Sequence, residues 1–383
     1  MKKLLFTILL SSFGHICFSQ NITYARHIVD TLTSPSFWGR GYTKDGMQQA
    51  ASFLKNELIK AGVSAVQKDG EFFQRFQYPV NTFPGKMHIT LNGKKLVPGV
   101  DFIVSQESRG NVCKGLLEKR DSATFIDREN KVIFLLQSKL TMSVAGNTEP
   151  YTLVLLDKKL IKGNPRKYEL EIENKFEPYF TANNIAGMVK GTEVPDSFLV
   201  ITAHYDHLGG LGTDTYFPGA NDNASGVSLL LNLARYYAQH PQRHSVAFIL
   251  FAGEEAGILG SKYYTEHPLF PLNNIRFLLN TDLAGTGEDG ITVVNATVYK
   301  SEFELMQKVN ADKNYLKAIN PRDKAMNSDH YWFTEKGIPA FFFYTQGGIQ
   351  AYHDVFDRPE TLPLTEHEDL LKLVTDFYSA LDK

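Results

Sequence analysis

Apolar residues recur along this chain with two different periods. From residue 183 onward, short apolar runs at 185–189, 198–203, 245–251, 275–281, 291–295 and 340–344 alternate with helical-period segments at 225–239, 258–266, 302–310, 329–336 and 366–381. A continuous apolar run of strand length belongs to a strand buried on both faces. Strands alternating with helices predict an α/β fold, a mostly parallel central sheet sandwiched by helices. Upstream, Met47, Ala50, Ala51, Phe53, Leu54, Leu58 and Ile59 form one stripe, which predicts an amphipathic helix over 43–62 with Thr43 as N-cap and Gly62 as its stop.

Between 72 and 182 the pattern changes. Short runs at 87–91, 131–136, 151–156 and 168–172 are separated by Asn92-Gly93, Pro98-Gly99 and similar turn signals. This predicts a β-rich unit inserted beside the main sheet, and it carries no catalytic constellation. The expected organisation is therefore a leader at 1–19, an N-terminal part of the main domain at 20–82, the inserted β-rich domain at 83–182 and the remainder of the main domain at 183–383.

The first residues read separately. Met1-Lys2-Lys3 is basic, 4–10 is apolar, and Cys17 and Ser19 are small residues suited to a cut after Ser19. This is the pattern of a cleaved signal peptide, too short for a membrane span, and Ile16 is bulky where lipoprotein processing takes a small residue. The expected location is secreted or periplasmic, with no membrane association after cleavage. Only Cys113 would then remain, so no internal disulfide is expected. A net charge of -2 over 383 residues offers no basic field for nucleic acid.

Chemistry gathers where the apolar runs end. One run stops at His204-Tyr205-Asp206-His207, another runs into Glu254-Glu255, and a third into Asp282. In open α/β sheets ligands bind at the carboxyl ends of the strands. Asp222, in the turn Asn221-Asp222-Asn223-Ala224-Ser225-Gly226, and His353 complete five candidate ligands: His204, Asp222, Glu255 or its neighbour, Asp282 and His353. Nitrogen and carboxylate donors without thiolate suit Zn²⁺ or a similar divalent ion. Five ligands exceed the needs of one catalytic zinc and fit two ions about 3.5–4 Å apart, with Asp222 as the bridge. Of the paired glutamates, one can ligate while the other serves as general base. Asp206 stands where it can orient His204.

The set His204-x-Asp206, Asn221 to Gly226, Glu254-Glu255, Asn280-Thr281-Asp282 and Tyr352-His353 resembles metallopeptidase family 28, closely over 183–383 and more loosely around Gly39-Arg40-Gly41. The resemblance implies a zinc-exopeptidase-like fold and a secreted aminopeptidase acting on peptides with a free N-terminus. It implies that His204 and Asp282 bind one zinc, Glu255 and His353 the other, and Asp222 both. Glu254 would be the general base, Asp206 would orient His204, and Tyr352 would help stabilise the oxyanion. Many members carry Asp where Asn223 stands, and many carry a protease-associated-type insert near 83–180. No role is implied here for Ser328-Asp329-His330.

Three other readings share this centre. A glutamate-carboxypeptidase-like enzyme needs a basic cluster, for which Arg322, Lys324 and Arg358 are the candidates. A glutaminyl cyclase favours tryptophan near the site, whereas Trp38 and Trp332 stand apart from the ligand motifs. A non-catalytic binding protein of the same fold typically loses ligands, and none is missing. A related di-zinc family inserts a domain before its last histidine, but only 283–352 lies between Asp282 and His353.

Overall fold

The computed structural model describes residues 13–159 and 163–381, with side chains from residue 21 onward. The expected leader at 1–19, with its cut after Ser19, falls largely outside the described residues, and the helix Phe13–Leu32 begins within it.

Among the described residues the central sheet has nine strands. Its order is Ser64–Ala65, Lys175–Val189, His244–Phe251, Val194–His204, Ile275–Thr281, Ala340–Thr345, Ile291–Val294 and Ile319–Arg322, with Phe73–Thr82 paired to Lys175–Val189 off this path. The four strands from His244–Phe251 to Ala340–Thr345 run parallel. Antiparallel pairings flank them on both sides. His244–Phe251 is buried at every residue. Its alternate side chains divide between two cores: Val246, Phe248 and Leu250 on one face, Ala247, Ile249 and Phe251 on the other. That is the period-two alternation of a strand between helical layers.

The first face packs on Gly226–Gln239, Gly46–Ala61 and His367–Leu381, and the second on Leu259–Glu266 and His330–Glu335. Two local expectations need correction. The early helix starts at Gly46, not at Thr43, because Lys44 and Asp45 hold left-handed φ of 52° and 56°. Ile59 faces outward, half exposed. Gly62 does end that helix, at φ 90°, where its N–H reaches back to Ile59 and Leu58 oxygens. Ile319–Arg322 has no counterpart among the expected strands. It contains Pro321, which an edge strand tolerates and a central one does not.

Within the stretch expected to be β-rich, whose two ends belong to the central sheet through Phe73–Thr82 and Lys175–Val189, the strands between Met87 and Ile172 form a five-stranded and a four-stranded sheet. Their shared core, from Phe83 to Ile172, also takes in Leu208, Leu211, Phe217 and Val355 from segments next to the candidate ligands. No described helix is long and apolar enough to cross a membrane.

Candidate metal centre

Strand register assembles the site. In the parallel pairings His204 stands opposite Phe251, and Thr202 opposite Asn280. Asp282 and the Glu254-Glu255 turn therefore emerge beside His204, at the carboxyl edge of three adjacent strands. Asp222 enters from the π-type turn Ala220–Ser225, which contains a cis Asp222–Asn223 peptide. Side chains pin that turn. The Asp357 carboxylate accepts hydrogen bonds from the Asn221 and Asp222 N–H groups at 2.9–3.1 Å. Asn223 accepts from Gly226 N–H and donates to Thr281 O. A Cβ at Gly226 would stand 2.2 Å from Asn223 Oδ1, so the turn needs glycine there.

The five candidate ligands converge. His204 Nε2 lies 3.4 Å from Asp222 Oδ1 and 3.3 Å from Asp282 Oδ1. His353 Nε2 lies 3.1 Å from Asp222 Oδ2 and 3.2 Å from Glu255 Oε2. Donor atoms sharing one zinc at about 2.0–2.1 Å and near-tetrahedral angles sit about 3.3 Å apart. The two oxygens of Asp222 thus face different histidines. Asp282 Oδ1 is buried and receives no hydrogen bond, whereas Oδ2 accepts one from Ser328 Oγ at 3.0 Å. An orphaned buried carboxylate oxygen facing a histidine nitrogen fits a position for a cation.

Electrostatics point the same way. Asp206, Asp222, Glu254, Glu255, Asp282 and Asp329 crowd one region. Burial, only partly offset by His204 and reinforced by Glu255, Asp329 and Asp282, pushes the Glu254 carboxyl well above its usual range. Burial and Asp222 push Glu255 up, but His353 and His207 bring it down to about 2. Burial presses His204 down, yet Asp282, Glu254 and the neighbouring aspartates hold it well above an ordinary imidazole. His353 is raised to about 11, by Glu255 and Asp222 against its burial. Buried carboxylates in this number demand cationic partners.

Asp206 does more than face His204. Its main-chain oxygen is 3.2 Å from His204 Nδ1, while its carboxylate is 3.7 Å away. That carboxylate accepts from the Glu254 and Glu255 N–H groups at 3.2 and 3.3 Å and so sets the glutamate turn. Tyr352, 44% exposed, stacks on His353 with ring centroids 3.9 Å apart. Arg322, Lys324 and Arg358 are engaged elsewhere, with Tyr344, Glu335 and the Val355 carbonyl.

Four contributors escape the reading of the sequence. His207 hydrogen-bonds Glu255, and its only signal is a second histidine three residues after His204. Arg40, wholly buried, donates to the carbonyls of Tyr205, Leu32, Pro218, Gly219 and Asp222, and the sign of it is a charged residue between two glycines. Ser328 links Asn280 to Asp282. Met142, inside the β-rich stretch, accepts from His353 Nδ1 at 3.0 Å and donates its N–H to His353 O at 2.8 Å, and nothing in its local sequence announces this.

The chain is similar to known proteins. The chain is 29% identical over 225 residues to aminopeptidase YwaD of Bacillus subtilis, a match covering 58% of this chain and 46% of that protein. It is 35% identical over 114 residues to a probable zinc metalloprotease of Pyrenophora teres f. teres, covering 29% and 24%. The matches thus span about half or less of the curated relatives' lengths. Among solved structures, a zinc aminopeptidase from Bacillus subtilis superposes with a TM-score of 0.69 at 19% identity, covering 93% of each chain. An aminopeptidase from Aneurinibacillus sp. strain AM-1 gives 0.66 at 17% identity, covering 95% of each. At these identities the likeness is one of fold. The sequence profile of peptidase family M28 matches residues 184–378, half of the chain and every candidate ligand, and the chain belongs to that family.

Proposed function

We propose that this protein is a zinc-dependent aminopeptidase acting outside the cytoplasm on peptides with a free N-terminus. The observation that carries the reading is the divided Asp222 carboxylate, with one oxygen toward His204 and Asp282 and the other toward His353 and Glu255. That arrangement supports two ions: His204 and Asp282 on one, Glu255 and His353 on the other, Asp222 on both. Bound zinc would supply Lewis acidity toward the scissile carbonyl and lower the pKa of a coordinated water.

The chain's own residues do the rest. Glu254, left without a ligand role, takes the proton of the attacking water and delivers it to the leaving amine. Tyr352, beside His353 at the open side of the site, donates toward the oxygen on which charge develops. The carboxylates of Glu254 and Asp282 favour a cationic α-amine near them. The Bacillus relatives, an aminopeptidase in each case, support the same choice. Residues 83–182 are taken as an inserted unit flanking this site, and the leader-like start supports export.

A panel of aminoacyl-nitroanilides and the matching N-acetylated peptides, assayed with and without a chelator, tests the reading. Hydrolysis that requires both a free amine and metal is expected. Cleavage of acetylated peptides from the C-terminal end would replace it with a carboxypeptidase. Cyclisation of N-terminal glutamine without hydrolysis would replace it with a cyclase. Bound zinc with no turnover of any substrate would leave a binding protein.

A further inference from the structure

Two histidines approach Glu255, and they do so differently. His353 Nε2 stands 3.2 Å from Oε2, the spacing of two atoms that share an ion. His207 Nδ1 stands 2.7 Å from Oε1, the length of a direct charge-assisted hydrogen bond. By position alone, His207, Asp222 and Glu255 form a group that could hold an ion. The short contact argues against His207 as a ligand, because an ion between the two atoms would force them apart to about 3.3 Å.

His207 is built into the protein rather than aimed at solvent. It is fully buried, and its main-chain N–H donates to Arg40 O. The ring lies against Gly219, where a Cβ would come within 2.4 Å of His207 Cδ2. Its edge meets the His353 ring at 6.0 Å and 74°. Nε2 is buried with no hydrogen-bond partner, so the bond to Glu255 is the ring's only polar engagement. A glutamate side chain has three rotatable torsions, and fixing one carboxylate oxygen settles where the other points.

We propose that His207 is the positioning residue for the ion held by Glu255 and His353: by gripping Oε1 it aims Oε2 at the metal position, without ligating metal itself. This rests on the two-ion reading above. It predicts a division of labour in which one ion depends on His207 and the ion at His204 and Asp282 does not.

The test is zinc titration of the metal-free full-length protein against a chromophoric chelator, with cobalt substitution as the spectroscopic signature. His207→Leu should lower affinity for one of two ions by about 10–100-fold and leave the other as in the native protein. It should also alter the cobalt bands of that site alone. His207→Asn puts an amide N–H where Nδ1 stood and should restore the native titration. His207→Gln puts its amide at the Nε2 position and should not. Should His207→Leu fail to fold, the Asn and Gln pair decides by itself.

Native zinc binding in His207→Leu or His207→Gln would overturn the proposal. So would His207→Asn losing as much as His207→Leu, which would make His207 a ligand, and so would equal weakening of both ions. These outcomes are separate from failure of the parent reading, since a native protein that binds fewer than two zinc ions removes the two-ion centre before any variant is made.

Discussion

Replacing Arg40 should dismantle the floor of the candidate metal centre. Its guanidinium is wholly buried and forms no hydrogen bond to a carboxylate. All its donors go to main-chain oxygens: Nε to Tyr205 at 2.8 Å, Nη1 to Leu32 and Pro218 at 3.2 and 2.7 Å, Nη2 to Gly219 and Asp222 at 2.9 and 3.1 Å. Burial lowers its pKa only to about 10, with Asp222 and Asp357 the chief opposing charges, so it remains a cation at neutral pH. One side chain thus ties the end of the N-terminal helix, the turn after His204 and the turn carrying Asp222.

The magnitude follows from the acceptors. A lysine has three donors on one atom and cannot reproduce the planar fork, so of the four carbonyls that depend on Arg40 alone Arg40→Lys leaves at least one without a partner. That costs at least about 1–3 kcal/mol. Arg40→Met removes all five bonds and the charge. Gly219 O retains a bond from Ala224 N–H, and water admitted to the vacated space offsets part of the rest. The loss should still exceed that of the lysine variant and reach a large part of a total stability of about 5–15 kcal/mol. The assay is urea unfolding followed by tryptophan fluorescence, with Trp38 two residues away as reporter. With m near about 3 kcal/mol/M, Arg40→Lys should lower the midpoint by at least about 0.3–1 M. Arg40→Met should not accumulate as folded protein. A native midpoint in Arg40→Met would refute the reasoning, because four unpaired acceptors and an unbalanced carboxylate cluster cannot be free of cost.

Three further outcomes are expected. Glu254→Gln should retain zinc, measured by metal analysis, while kcat falls by about 10²–10⁴, and near-native turnover would remove Glu254 from the role of base. Met142→Pro deletes the N–H that holds His353 O and should weaken zinc binding on titration, whereas Met142→Leu should bind as the native protein does; equal behaviour of the two would dismiss the main-chain brace. His367 is lowered to about 4 by burial and by Arg26, and its Nε2 accepts from Asn232 Nδ2 at 2.9 Å. Its folded pKa lies below the unfolded value of about 6.5, so the unfolded chain takes up the proton first as pH falls. The ring therefore withdraws stability between about pH 6.5 and 4, up to about 3 kcal/mol. His367→Gln, with an oxygen to accept the same bond, should match the native protein at pH 7 and show a higher urea midpoint at pH 5; parallel midpoints at both pH values would rule this out.

How much of this was legible in the sequence depends on what carried the information. The strands ending at His204, before Glu254 and before Asp282 were readable because burial on both faces makes a strand apolar throughout, and a polar residue at its end then stands out. Parallel register did the rest, since adjacent strands of a parallel sheet end on the same edge. Helix stripes were readable for the same reason, apart from their first turns. The run Trp38, Gly39, Arg40, Lys44 and Asp45 at positive φ delays the early helix to Gly46, and no side-chain pattern encodes that. Arg40 itself bonds loop carbonyls 165 to 182 residues away, and main-chain acceptors leave no trace in residue identity. Its neighbours, two glycines, were the only hint.

The β-rich stretch shows the same limit from the other side. Its strands are visible as short alternating runs, and no catalytic constellation stands out among its residues. Yet His353 sits on a loop at φ 54°, with no sheet strand to fix it. Met142 grips it through both main-chain groups, and Lys139 reaches the Gln350 carbonyl and the Asp354 carboxylate from the same loop. Val355, two residues beyond His353, packs into the core of the β-rich sheets together with Leu208, just past His207. Both the candidate ligand on the distant loop and the turn that follows His204 therefore take their positions from this region. A bare ornament on the main sheet would have a core of its own and no contact with the candidate ligands, whereas here the core is shared and the ring nitrogen of one candidate, His353, is hydrogen-bonded by it. The constraint is carried by main-chain bonds and by apolar residues contributed one at a time from distant segments, and neither leaves a motif.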